Sequence, residues 1–117
     1  VRHDVTDDDT AIAVGSGDVP VLATPRLIAW MEIAAMHAAA AFIGPGQTTV
    51  GTAVRIEHRR ATPVGGTVDV TADAPLAPVG RTLTFAVRAL DGSGVLVATG
   101  ELDRAIVDRN RFLAALR

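Results

Sequence analysis

The chain has 117 residues, 49% of them apolar and only 3% aromatic, with a formal net charge of −2. That is enough apolar side chain for one packed domain, but too little aromatic or basic surface for a nucleic-acid interface. There is no cysteine, and the three histidines (His3, His37, His58) share no metal-ligand spacing; disulfides and thiolate chemistry are thereby excluded, and neither a metal nor another cofactor is expected.

Taken from the N-terminus, Val1-Arg2-His3-Asp4 shows no basic-then-apolar leader pattern, so a cytoplasmic setting is expected. Asp4 to Val14 is β-compatible around an acidic turn, Asp7-Asp8-Asp9, and predicts one short strand or hairpin. Gly15-Ser16-Gly17-Asp18 is a loop. Thr24-Pro25 then opens a helix, threonine being a favoured cap and proline a favoured first-turn residue. Gly44-Pro45-Gly46 closes it.

Between Leu27 and Ile43 the only residues that are not apolar are Glu32 and His37. Such a run is marginal in length for a membrane span and penalised by its acid, so no membrane association is expected. A helix apolar on all sides is expected to be buried by the rest of the fold. A carboxylate carried into that place must be paired, hydrogen-bonded or protonated, because an isolated buried charge costs many kcal/mol. Glu32 is therefore the first candidate functional residue. His37, about 140° further round the helix, is read as structural.

Beyond the helix the apolar period changes to two. Over Thr49 to Arg60, Val50, Val54, Ile56 and His58 are assigned to one face, with Arg55, Glu57 and Arg59 on the other. Ala61 to Gly66 is a turn. Val68, Val70 and Ala72 alternate with polar residues, as do Leu83, Phe85, Val87 and Ala89. Asp91-Gly92-Ser93-Gly94 is a hairpin loop. A last strand covers roughly Val95 to Val107, and Asp108 can cap a short helix ending near Leu116.

A strand, a long apolar helix and four antiparallel strands make an α+β chain, read as one domain over 1–117. A curved antiparallel meander is what is available to wrap the helix, which is the hotdog arrangement. Its open edges invite a second copy. His58 falls on the helix-facing side of its strand. It is either a satisfied rim histidine or a partner for Glu32, with the two expected within hydrogen-bond reach, directly or through a water. Thr24 is either a plain cap or a hydroxyl placed where a helix N-terminus favours a developing oxyanion. Gly51 is a bulge or a point where a ligand nears the backbone. Arg59 and Arg60 are a solvated strand end or a phosphate contact.

Val21-Leu22-Ala23-Thr24-Pro25, Trp30-Met31-Glu32-Ile33-Ala34, Val50-Gly51-Thr52-Ala53-Val54-Arg55-Ile56-Glu57-His58 and Ala61-Thr62-Pro63-Val64-Gly65 together resemble the hotdog thioesterases of the fluoroacetyl-CoA thioesterase type. The likeness continues through Arg81-Thr82-Leu83 to Ile106-Val107-Asp108 and Phe112-Leu113. It implies hydrolysis of an acyl-CoA thioester by a homodimer, with larger assemblies left open. The family's threonine falls on Thr24, its glutamate on Glu32, its histidine on His58 and its active-site glycine on Gly51. The resemblance makes Glu32 the nucleophile or the base that activates water, and His58 its acid/base partner. Thr24 would hydrogen-bond the carboxylate or the thioester carbonyl.

Two other readings remain at this level. A hotdog hydratase would use an aspartate with a histidine a few residues on, and His3-Asp4 precedes a strand rather than a helix. A non-catalytic acyl-CoA-binding protein would keep the pocket without turnover. Fluoroacetyl-specialised members shield the acyl group with an aromatic-bearing lid just before the threonine. Here that segment, Ala13 to Val21, has no aromatic, so an acyl-CoA thioesterase tolerant of several short or medium chains is expected.

Overall fold

Pro25, in the first turn of a helix where its missing N–H is no loss, lets the chain turn helical at Thr24. In the computed structural model, which describes residues 1–117, this helix (α2) runs Thr24–Ala39 and continues as a 3-10 turn over Ala40–Phe42. Its buried residues are Leu27, Met31, Ala35 and Ala39, all 0% exposed. Their spacing of four places them along one narrow stripe. Burying the two large ones stabilises the fold by roughly 1.5–3 kcal/mol each. The opposite side is open: Ile33 is 43% and Met36 47% exposed. The curved sheet covers the helix along this stripe, and the exposed far face corrects only the all-round burial expected from its composition.

The stripe lies on a five-stranded antiparallel sheet made of β1 (Arg2–Asp4), β2 (Gln47–His58), β3 (Thr67–Asp73), β4 (Thr82–Asp91) and β5 (Leu96–Asp108), in the order β1-β3-β4-β5-β2. Alternation in β3 and β4 delivers Val68, Val70, Leu83, Phe85, Val87 and Ala89 to the core. The sheet is not a simple meander. Although β2 precedes β3 in the chain, it pairs with β5 at the far edge, so its other edge has no neighbour in this chain.

The register of β2 departs from the predicted faces. Thr49 pairs with Ile106 and Gly51 with Arg104, but a bulge between Gly51 and Ala53 then brings Val54 opposite Leu102, Ile56 opposite Gly100 and His58 opposite Ala98. One extra residue inverts a period of two. Thr49 and Gly51, followed by Val54, Ile56 and His58, therefore share the helix-facing side, and Val50 is turned to the other. β2 lies very close to β5 at Gly100, where an added Cβ would overlap the Arg55 carbonyl. On the outer face Arg55 bridges Glu101 and Asp103 at 2.9–3.2 Å, an exposed network of modest worth.

The N-terminal region corrects a second expectation. Only β1 is a strand; Asp7–Asp9 form a 3-10 turn and Ala11–Val14 a short helix (α1) capped by the Thr10 hydroxyl, which accepts from the Ala13 amide. The segment before α2 is tied down on two sides: the Leu22 amide donates to the Thr62 carbonyl at 2.8 Å, and the Ala23 amide to that of Asp9 at 2.9 Å. These bonds hold the start of α2 beside the connection leaving β2. The last helix, α3 (Arg109–Ala114), is capped by Asp108 as expected.

Candidate active site

That docking sets Thr24 against the end of β2. Its Oγ1 lies 2.7 Å from His58 Nδ1. The hydroxyl is therefore not the helix cap: the capping position is Ala23, which offers no side chain, and the first-turn amides are left free of a side-chain acceptor. The imidazole's other nitrogen, Nε2, is buried without a hydrogen-bond partner. Burial lowers the His58 pKa below its ordinary 6.5, against a smaller opposing pull from the Arg60 backbone. A neutral ring has one N–H and one lone pair. If Thr24 donates to Nδ1, the ring hydrogen sits on Nε2; if Nδ1–H donates, Nε2 is a free base and the hydroxyl proton is released to another acceptor. Either form leaves one proton-transfer group uncommitted.

Thr24, Glu32, His58, Arg59 and Arg60 all line one open cleft of about 770 Å³, whose further wall is Ser16 to Val19 with Val21. Glu32 is eight residues along α2 from Thr24, about 12 Å of helical rise. It is not buried: its side chain is 39% exposed. Its polar partner is Arg104, whose Nη1 is 3.4 Å from Oε2, and no direct hydrogen bond joins it to His58. The two therefore border one space without touching, and a bound group can sit between them.

Gly51 is absent from the cleft wall and lies behind Glu32. A Cβ there would be 2.8 Å from Glu32 Oε2. Both sequence readings meet at this residue: it marks a bulge, and it admits a close approach, though by a carboxylate of the same chain. Arg59 and Arg60 stand on the rim, each with an acidic neighbour, Glu57 at 2.6 Å and Asp91 at 3.5 Å.

Arg104 is the site residue that sequence reading missed. It was legible as a cation placed between Leu102 and Ile106 on the apolar face of β5. Two of the histidines lie elsewhere: His37 is exposed, and His3 stacks on Trp30 with ring centroids 4.3 Å apart. No group of three or more potential metal-ligating side chains is present, and no helix is long and apolar enough to cross a membrane.

Residues 5–110 match the family described as fluoroacetyl-CoA-specific thioesterase. The fluoroacetyl-CoA thioesterase of Streptantibioticus cattleyicolor is 37% identical over 97 residues, which span 83% of this chain and 68% of that protein. Among solved structures, a mutant of the fluoroacetyl-CoA-specific thioesterase FlK in complex with fluoroacetate and CoA superposes with a TM-score of 0.89 at 31% identity, covering 100% of this chain and 94% of that one. A second FlK mutant, in complex with acetyl-CoA, gives 0.86 at 31% identity over 99% and 92%. A thioesterase superfamily member from Thermus thermophilus gives 0.90 at 24% identity over 100% and 85%, a likeness of fold alone.

Proposed function

The chain belongs to the fluoroacetyl-CoA-specific thioesterase family, and from that membership we propose that it hydrolyses a short or medium acyl-CoA at the cleft of Thr24, Glu32 and His58. The observation that carries the assignment of residues is the 2.7 Å Thr24–His58 bond at a cleft that also receives Glu32. An imidazole fixed through one nitrogen, with its pKa lowered by burial, suits proton transfer near neutral pH. Glu32 supplies the oxygen that attacks the thioester carbon or takes the proton of an attacking water. In the first case a Glu32–acyl anhydride forms as the C–S bond breaks, and a water then cleaves it to free the acyl carboxylate and restore Glu32; in the second the water oxygen displaces the sulfur directly. In both, the electron pair of the C–S bond goes to sulfur, His58 passes the thiolate a proton and regains one derived from the attacking water, and the products are the acyl carboxylate and the CoA thiol. Thr24 serves by orienting His58.

Arg59 and Arg60, on the rim, would meet the phosphates of CoA. The protein acts as a homodimer in this reading. Ile33, Met36 and Val54 are 43–47% exposed in the single chain, and the second edge of β2 is unpaired; a second copy would cover both. A cytoplasmic setting goes with an acyl-CoA substrate. The acyl range is broad because the wall from Ser16 to Val21 carries no aromatic side chain to close over a small fluorinated group.

The test is free-thiol release across an acyl-CoA panel by the wild type and by Glu32→Gln, which keeps the side chain's volume and removes its base. Turnover by the wild type with nearly complete loss in the variant is expected. Thiol release by neither protein would leave a binding protein. Wild-type rates in Glu32→Gln would defeat the residue assignment.

A further inference from the structure

Arg104 is a cation in an expensive place. It is 7% exposed, on a strand face otherwise given to Leu102 and Ile106, where a burial cost must be met by hydrogen bonds and a partner charge. Thr49, across the β2–β5 pair, takes two of its donors. Nε donates to Thr49 Oγ1 at 2.9 Å and Nη2 to the Thr49 carbonyl at 3.0 Å. Both acceptors are neutral, so neither explains why the residue carries charge. They fix the planar fork so that Nη1 points at Glu32 Oε2, 3.4 Å away. That distance is long for a hydrogen bond and ordinary for an ion pair.

We propose that Arg104 is a positioning residue for Glu32. It draws Oε2 into the space that Gly51 leaves open, and so presents Oε1, which has no hydrogen bond in this chain, as the reacting oxygen. In the direct route Oε1 forms the bond to the acyl carbon as the C–S bond breaks; in the water route it takes the proton of the attacking water. Arg104 acts on the other oxygen in both. This rests on the reading of Glu32 as catalytic.

Arg104→Gln, Glu32→Gln and their combination separate the possibilities when kcat and KM are read from thiol release and folding is checked by thermal melting. Arg104→Gln is expected to lower kcat ~10–100-fold, the cost of misplacing a reacting group by up to about 1 Å, with KM nearly unchanged. Arg104→Lys recovers part of that loss, because it restores the charge without the fork. Residues acting through one another are not additive, so the double variant should be no slower than Glu32→Gln alone. If Arg104→Gln does not fold, Thr49→Val, of similar shape, frees Nε and should show the same kcat-over-KM split on a smaller scale. Losses that multiply, a rise in KM with kcat kept, or wild-type kcat in Arg104→Gln or Thr49→Val would overturn the proposal. Wild-type turnover in Glu32→Gln would instead defeat the catalytic reading beneath it.

Discussion

Gly51→Ala separates folding from catalysis in one step. The added Cβ would lie 2.8 Å from Glu32 Oε2 and 3.5 Å from Arg104 Nη1, whereas ordinary contact begins near 3.4 Å. The carboxylate must therefore retreat by about 0.6 Å, taking the difference of the two distances. It is the free end of a glutamate, so retreat is cheap for the fold. The backbone at 51 is not left-handed, and replacing glycine by alanine at a compatible position stabilises by ~0.4–1 kcal/mol through the unfolded chain. The melting temperature should hold or rise slightly. Turnover should not. A shift of this size in a reacting group costs on the order of 10-fold, approaching 10²-fold at 1 Å. Thiol-release kinetics beside a melting curve give both numbers on one sample. Wild-type kcat/KM with an unchanged melt would refute the claim that Gly51 is small for the sake of Glu32.

His58→Ala should lower turnover by roughly 10²–10⁴-fold, the range for a general acid/base. Thr24→Val should act more mildly, since it removes only the bond that orients the ring. Because the Ala23 cap offers no side chain, the helix start should barely notice. Light scattering at micromolar concentration should report a dimer, and a stable monomer would contradict the pairing inferred from Ile33, Met36 and β2. Specificity constants for fluoroacetyl-, acetyl-, butyryl- and hexanoyl-CoA should lie close together; a thousandfold preference for fluoroacetyl over acetyl would refute the argument from the aromatic-free wall. The folded chain lowers the pKa of His58 and of His3, in both cases mainly by burial. The stability gained by keeping these rings neutral is complete above their unfolded value near 6.5, and is lost as pH falls through the lowered folded values. The urea midpoint should drop between pH 7.5 and 5.5, and drop less in His58→Gln. A midpoint that rises on acidification would show the sign to be wrong.

The features legible in the sequence were those set by local chemistry. Thr24-Pro25 marked the helix start, Asp91-Gly92-Ser93-Gly94 the hairpin, and alternation in Leu83 to Ala89 the core face of β4. Glu32 and His58 stood out as charged or titratable groups among apolar neighbours, and they do line one cleft. What was hidden depends on pairing across distance. Gly51 offers a bulge as one of two readings, but the assignment of faces carries a period of two straight through it and so puts Val50 on the wrong face. Arg104 shows in the sequence as a cation between Leu102 and Ile106, but its partners Thr49 and Glu32 emerge only from the register of β2 with β5. For Thr24 the local rule leaves a cap and a functional hydroxyl equally open, because the ring its hydroxyl meets lies 34 residues away.

Gly100 gives the site an unusual vulnerability. β2 carries both Gly51 and His58, and its one strand neighbour within the chain is β5, at a separation that admits no side chain at position 100. One added methyl group there would lever β2 outward along its length. The Thr24–His58 bond at one end and the Gly51–Arg104 seat at the other would loosen together, although Gly100 touches neither. A genetic screen scoring only activity would class such a substitution with the catalytic residues. Proteolysis or amide exchange along β2 would reveal it instead as a failure of strand attachment.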